Sequence, residues 1–149
     1  MSLGVHVYFI DESGQEQWLR SVDWKSAEEL WKAQGLTTEE KHPEISRLRV
    51  EHELWRNLAG PERWQTEMYG SPVARSLGLT LLPSLSEQDI YAQGEDLDVL
   101  GREIETPIQN IGLLVSDRQD QWESVLFDFR NIANAVTEAK SLNGTVVIW

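Results

Sequence analysis

The chain has 149 residues, ordinary proportions of apolar and charged side chains, no cysteine, and a net charge of −12 from 25 acids against 13 lysines and arginines. Such a length predicts one domain over residues 1–149, with enough chain to bury a core without staples. The missing cysteines exclude disulfides, zinc–thiolate sites and thiol nucleophiles, and the charge disfavours nucleic acid and anionic membrane as partners. No apolar run approaches the ~18–20 residues of a membrane helix, and the N-terminus lacks a signal-peptide pattern. The chain therefore reads as soluble and cytoplasmic.

In chain order, Val5 to Ile10 is β-branched and aromatic and predicts a strand. Asp11-Glu12-Ser13-Gly14 predicts a turn, with a glycine able to take positive φ. Gln17 to Trp24 alternates as a second strand, with Trp18, Arg20, Val22 and Trp24 on one side, so the two strands make a hairpin. Ser26 and Glu29 form a capping box for a short helix that carries Leu30 and Trp31 and stops at Gly35. A second capping box at Thr37 to Glu40 is interrupted by His42-Pro43. Pro43 suits the first turn of a new helix, along which Ile45, Leu48, Trp55 and Leu58 recur near helical spacing until Gly60-Pro61.

Residues 61–78 predict loop with a short turn after Ser71-Pro72, and Leu79 to Leu82 a short strand ended by Pro83. Ser84 to Gly94 reads as largely loop. Leu97, Leu100, Ile104, Ile108 and Ile111 then define an amphipathic helix that Pro107 should kink or end. The clearest helix runs from about 119 to 142 on a stripe that includes Trp122, Val125, Phe129, Ile132 and Val136. Asn143-Gly144 stops it, and Thr145 to Trp149 is a terminal strand expected to join the sheet begun by residues 5–10. The fold class is α+β: a small, mainly antiparallel sheet packed by helices.

Catalytic and metal chemistry find little support. His6, His42 and His52 form no His-x-x-x-His pattern, and the acids of 87–98 lack the spacing of a calcium loop. There is no Gly-x-Ser-x-Gly and no phosphate-binding glycine motif. Arg47, Arg49, Arg56 and Arg63 interleave with Glu44, Glu51, Glu53 and Glu62, the pattern of a salt-bridged solvated face. The expectation is a chain without enzymatic activity, cofactor or metal.

What stands out is charge. Between Glu87 and Glu105 lie seven acids and a single base, Arg102, so this stretch carries half of the net charge. Acids at a helix start also suit the helix dipole, which accounts for part of it. The functional reading is an interface for a basic protein formed by Glu87, Asp89, Tyr91, Glu95, Asp96 and Asp98, with Trp64 or Tyr69 as further aromatic anchors.

Three pieces of the last third carry a family resemblance. They are Leu97-x-x-Leu100-x-x-Glu103-Ile104, Phe129-Arg130-Asn131-Ile132-x-x-Ala135-Val136-x-x-Ala139-Lys140, and Gly144-Thr145-Val146-Val147-Ile148-Trp149. Together they resemble small bacterial immunity proteins of polymorphic toxin systems and related uncharacterised bacterial proteins. The resemblance implies a cytoplasmic binder that occludes the active site of a basic toxin, using acids to mimic a polyanionic substrate. Two alternatives stand beside it. One is a small-molecule-binding or enzymatic domain whose pocket has Trp18, Trp24 and Trp149 as walls. The other is a homo-oligomeric protein, a homodimer in its simplest form, held by self-complementary apolar surface.

Overall fold

The computed structural model describes residues 2–19, 58–115 and 122–149. The expectations for residues 20–57 (the end of the second strand with Trp24, both capping boxes, the helix from Pro43) and for 119–121 lie outside the described residues.

An antiparallel five-stranded sheet organises the fold, with the two long described helices packed on one face. Strand β1 (Ser2–Ile10) is its axis. Along one edge β1 pairs with β5 (Thr145–Ile148), placing Val5 opposite Ile148 and Val7 opposite Val146. Its other edge is shared: β2 (Glu16–Trp18) takes the C-terminal half and β3 (Leu58–Pro61) the N-terminal half. Beyond β5 lies β4 (Ile90–Ala92), so the order is β2-β1-β5-β4. The predicted union of the N-terminal and C-terminal strands is what forms the centre of the sheet.

Strand alternation decides which side chains meet the helices. Leu3, Val5 and Val7 of β1, Val146 and Ile148 of β5, and Ile90 and Ala92 of β4 all point inward and are buried. Against them pack α3 (Glu95–Gln109) and α5 (Trp122–Leu142). α3 contributes Leu97, Leu100 and Ile104, spaced as the sequence predicts; α5 contributes Val125, Phe129, Ile132, Val136 and Ala139. The two helices approach closely at Gly101, where an added Cβ would lie 3.3 Å from Val136. α5 ends as expected, with Asn143 at φ 52° and the Gly144 amide donating to the Ala139 carbonyl.

Three expectations fail for identifiable reasons. Leu58 fits the helical stripe that precedes it, yet Leu58–Pro61 is strand β3, because pairing with β1 satisfies its backbone. Gly60 has φ +111° there, and the Trp64 indole fills the space where a Cβ would sit. Leu79 to Leu82 is not a strand; Leu82–Ser86 is a 3₁₀ helix with Pro83 in its first turn. The Glu103 carboxylate gathers the amides of Thr80, Leu81 and Leu82 toward one point, which no extended strand permits. The loop expected over Ser84 to Gly94 instead holds the end of that 3₁₀ helix and strand β4.

Short helices complete the connections. α1 (Trp64–Glu67) carries the buried Trp64. α2 (Pro72–Ser76) is capped by Ser71, whose hydroxyl accepts from the Ala74 amide at 3.1 Å. α4 (Ile111–Leu114) follows α3 directly. Pro107 sits in the last turn of α3, so the helix runs only two residues past it. At the β1–β2 turn the Asp11 carboxylate accepts from the Ser13 amide and hydroxyl, the Gln15 amide and the Gln17 side chain. These bonds, led by the Ser13 hydroxyl, pull its pKa down to about 2.

Candidate functional site

The six acidic-segment residues predicted to bind a partner are all exposed, and the fold gathers them around one sheet edge. Glu87 and Asp89 lead into β4, Tyr91 is its middle residue, and Glu95, Asp96 and Asp98 occupy the first turn of α3. Tyr91 points outward because Ile90 and Ala92, on either side of it, point into the core. Among the described residues, Glu87, Asp89, Glu95 and Asp96 enter no ion pair.

Asp98 differs. Its carboxylate takes Lys140 of α5 at 2.7 Å, and that hydrogen bond and charge hold its pKa below the ordinary carboxylate value. The pair spans the rim of a groove of about 880 Å³ between α3 and α5. Glu95, Arg102, Glu105, Ala133 and Thr137 also line that groove, and among the described residues no aromatic side chain does.

Glu103 belongs to the same acidic stretch but is buried. Its Oε1 accepts from the amides of Thr80 (3.1 Å) and Leu82 (2.9 Å), and its Oε2 from the Leu81 amide (2.9 Å) and the Thr80 hydroxyl (3.0 Å). A carboxylate with four donors in a shielded place fixes the chain rather than receiving a ligand. The signal for this was in the sequence: residue 103 lies three beyond Leu100 and beside Ile104, on the helix's apolar side.

The aromatic anchors divide. Tyr91 is exposed, whereas Trp64 and Tyr69 are buried and do not serve as surface anchors. Their rings lie 6.1 Å apart and pack with Phe129 at centroid distances of 5.8–5.9 Å, and the Tyr69 hydroxyl donates to the Ala59 carbonyl at 2.6 Å. Burial, reinforced by Asp128, raises the Tyr69 pKa well above its ordinary value.

Trp18 and Trp149, proposed as pocket walls, lie together on the outer face of the sheet; Trp24 is outside the described residues. The Trp18–Trp149 ring centroids are 6.1 Å apart, with planes inclined by 54°. His6 touches both, at 6.0 Å from Trp18 and 5.2 Å from Trp149, and Tyr8 lies 5.3 Å from Trp18. Register explains the gathering. Tyr8 faces Trp18 across β1–β2, and Gly4 faces Trp149 through reciprocal backbone hydrogen bonds. With no side chain on Gly4, the His6 imidazole occupies the space above it; a Cβ there would stand 2.6 Å from Nε2. Desolvation lowers the His6 pKa, favouring the uncharged ring.

His6 and Tyr8 are the members the sequence reading missed, although the alternation of β1 puts both on the face opposite Val5 and Val7. Among the described residues six large apolar side chains are exposed, and four of them share this face: Ile10 (59%), Tyr91 (58%), Trp18 (48%) and Trp149 (43%).

Among the described residues there is no group of three or more metal-ligating side chains, and no helix is long and apolar enough to cross a membrane. No family model, curated protein or solved structure matches this chain.

Proposed function

We propose that this chain is a non-enzymatic binding domain for a basic protein, acting as an immunity-type inhibitor that covers its target with the acidic edge around β4. The observation that carries this reading is the placement of Tyr91. It is an exposed aromatic on the terminal strand of the sheet, bracketed by Glu87 and Asp89 before it and Glu95 and Asp96 after it. An aromatic anchor ringed by acids is the composition expected of a contact that steers a cationic partner and then holds it. Exposed acids with no ion-pair partner among the described residues lose little when they meet external cations. Asp98 contributes less than the other acids, because a partner has to displace Lys140 from it.

The burial of Glu103 supports the same division of labour: the acid that builds the fold is hidden, and those at the β4 edge are left outside. Capture from host lysate at low salt tests the reading, with a Glu87→Lys, Asp89→Lys, Asp96→Lys variant as control. Recovery of one basic protein by the wild type alone is the expected result. Recovery of the same proteins by both contradicts it.

A further inference from the structure

We propose that the ring cluster His6–Tyr8–Trp18–Trp149 on the outer face of the sheet is a seat for an arginine side chain of the basic partner. This inference rests on the acidic-edge reading for the charge of the partner, and adds where a second contact falls and which side chain makes it.

Several independent features of the face point to a cation of this kind. The two indoles remain about half exposed while their rings lie against each other and against His6, inclined by 37° to 86°, so solvent reaches both. Tryptophan faces carry the negative potential that attracts a cation within about 6 Å of the ring centroid. Burial lowers the pKa of the His6 ring between them, which favours its uncharged form and lessens repulsion of a cation. Glu16 stands opposite Ile10 at the end of the same face, and the chain as a whole carries −12. An anionic ligand is disfavoured by that field.

Between the two common cations, guanidinium fits better than ammonium. It is planar, weakly hydrated and stacks on an indole, whereas a lysine head is compact and strongly hydrated. The three methylenes of arginine would cover apolar surface near Ile10 at the same time. Tyr91 lies on the same side of the sheet: Val147 of β5, itself buried, has His6 opposite it on one side and Tyr91 on the other.

The probe is a synthetic peptide with four glycine-spaced arginines, beside a lysine peptide of the same design, titrated into the full-length protein at low salt. Indole N–H resonances of Trp18 and Trp149 and backbone amides of residues 87–96 are followed together. Arginine peptide should shift both indole signals, and the lysine peptide should bind them about tenfold more weakly. Trp18→Leu and Trp149→Leu keep apolar bulk while removing the π-face; each should weaken arginine binding at least severalfold, with thermal unfolding reporting that the fold is intact. Glu87→Gln with Asp89→Asn should weaken the peptide overall yet leave the indole shifts in the bound state. Movement of the 87–96 amides without the indoles overturns this inference and leaves the acidic-edge reading standing. Equal binding by the leucine variants also overturns it. Movement of neither set overturns both.

Discussion

Glu87 and Glu103 belong to one acidic stretch, sixteen positions apart, and the fold puts them to opposite uses. Glu103 sits on the apolar side of α3 and accepts three backbone amides and a hydroxyl from Thr80 to Leu82, where the 3₁₀ helix begins. Glu87, three residues before the start of β4, faces solvent. What separates them is local structure: Glu103 lies on the packed side of a helix, and Glu87 lies in the turn between the 3₁₀ helix and β4. A run of acids seen in sequence is therefore two populations: anchors of the polypeptide and surface charges available to a partner. Composition alone cannot sort them, but helical spacing can.

Replacing the anchor should have the largest effect. Glu103→Ala leaves the amides of Leu81 and Leu82 without their acceptor where water reaches poorly, and should cost about 3 kcal/mol in denaturant unfolding. Glu103→Gln keeps the shape but turns an N–H₂ toward converging donors, and should lose most of the same stability. If either variant unfolds like the wild type, the carboxylate is not an anchor. Glu87→Lys with Asp89→Lys should do the reverse. Unfolding should stay within about 0.5 kcal/mol of wild type, while association with a basic partner slows about tenfold or more at low salt. A loss of stability comparable to that of Glu103→Ala would erase the distinction.

Asp98 lies between the two classes, and replacing it should have a smaller effect. Its pairing with Lys140 joins α3 to α5 through exposed side chains, so Asp98→Asn should change thermal stability only slightly and salt should mask the change. Two titrations sharpen the electrostatic picture further. Asp11, fastened by the β1–β2 turn, should titrate by NMR near its depressed value of about 2. A depressed carboxylate stabilises the folded state above its ordinary value of 3.8, and that contribution is lost as pH falls toward 2. Asp11→Asn should therefore flatten the acid limb of unfolding. The His6 midpoint should lie below 6.5, since burial disfavours its cationic form. The folded state then gains stability as pH rises through that window and loses it as pH falls. A His6 midpoint at or above 6.5 would mean that the ring cluster is open to water.

The sequence made the sheet's axis and its two long helices readable, because each has a strong periodic signal. Val5, Val7 and the Thr145–Ile148 run are β-branched, and the α3 and α5 stripes repeat at helical spacing. Strand β3 was hidden because Leu58 completes an apolar helical pattern, and only pairing with β1 turns it into strand. Strand β4 was hidden because three residues are too few to show alternation. Its existence depends on β5, which is more than fifty residues away in sequence. Of the candidate site, the exposure of the acids around β4 could be anticipated from charge. The company of Trp18 and Trp149 followed from strand parity, whereas His6 joined them only because Gly4 leaves space beneath its ring. Trp64 and Tyr69 show the limit of reading aromatics as anchors: a ring in loop-like sequence can still be core when a helix such as α5 brings Phe129 to it.

The central claim is that the β4 edge recruits a basic protein by charge and grips it through Tyr91. The most direct test is the association rate of the captured partner against ionic strength, measured for the wild type and for Glu87→Lys with Asp89→Lys. Screening acts over ~10 Å at 0.1 M salt, so the wild-type rate should fall steeply as salt rises, and the two proteins should converge at high salt. Equal rates for the two proteins at every salt concentration would contradict the account.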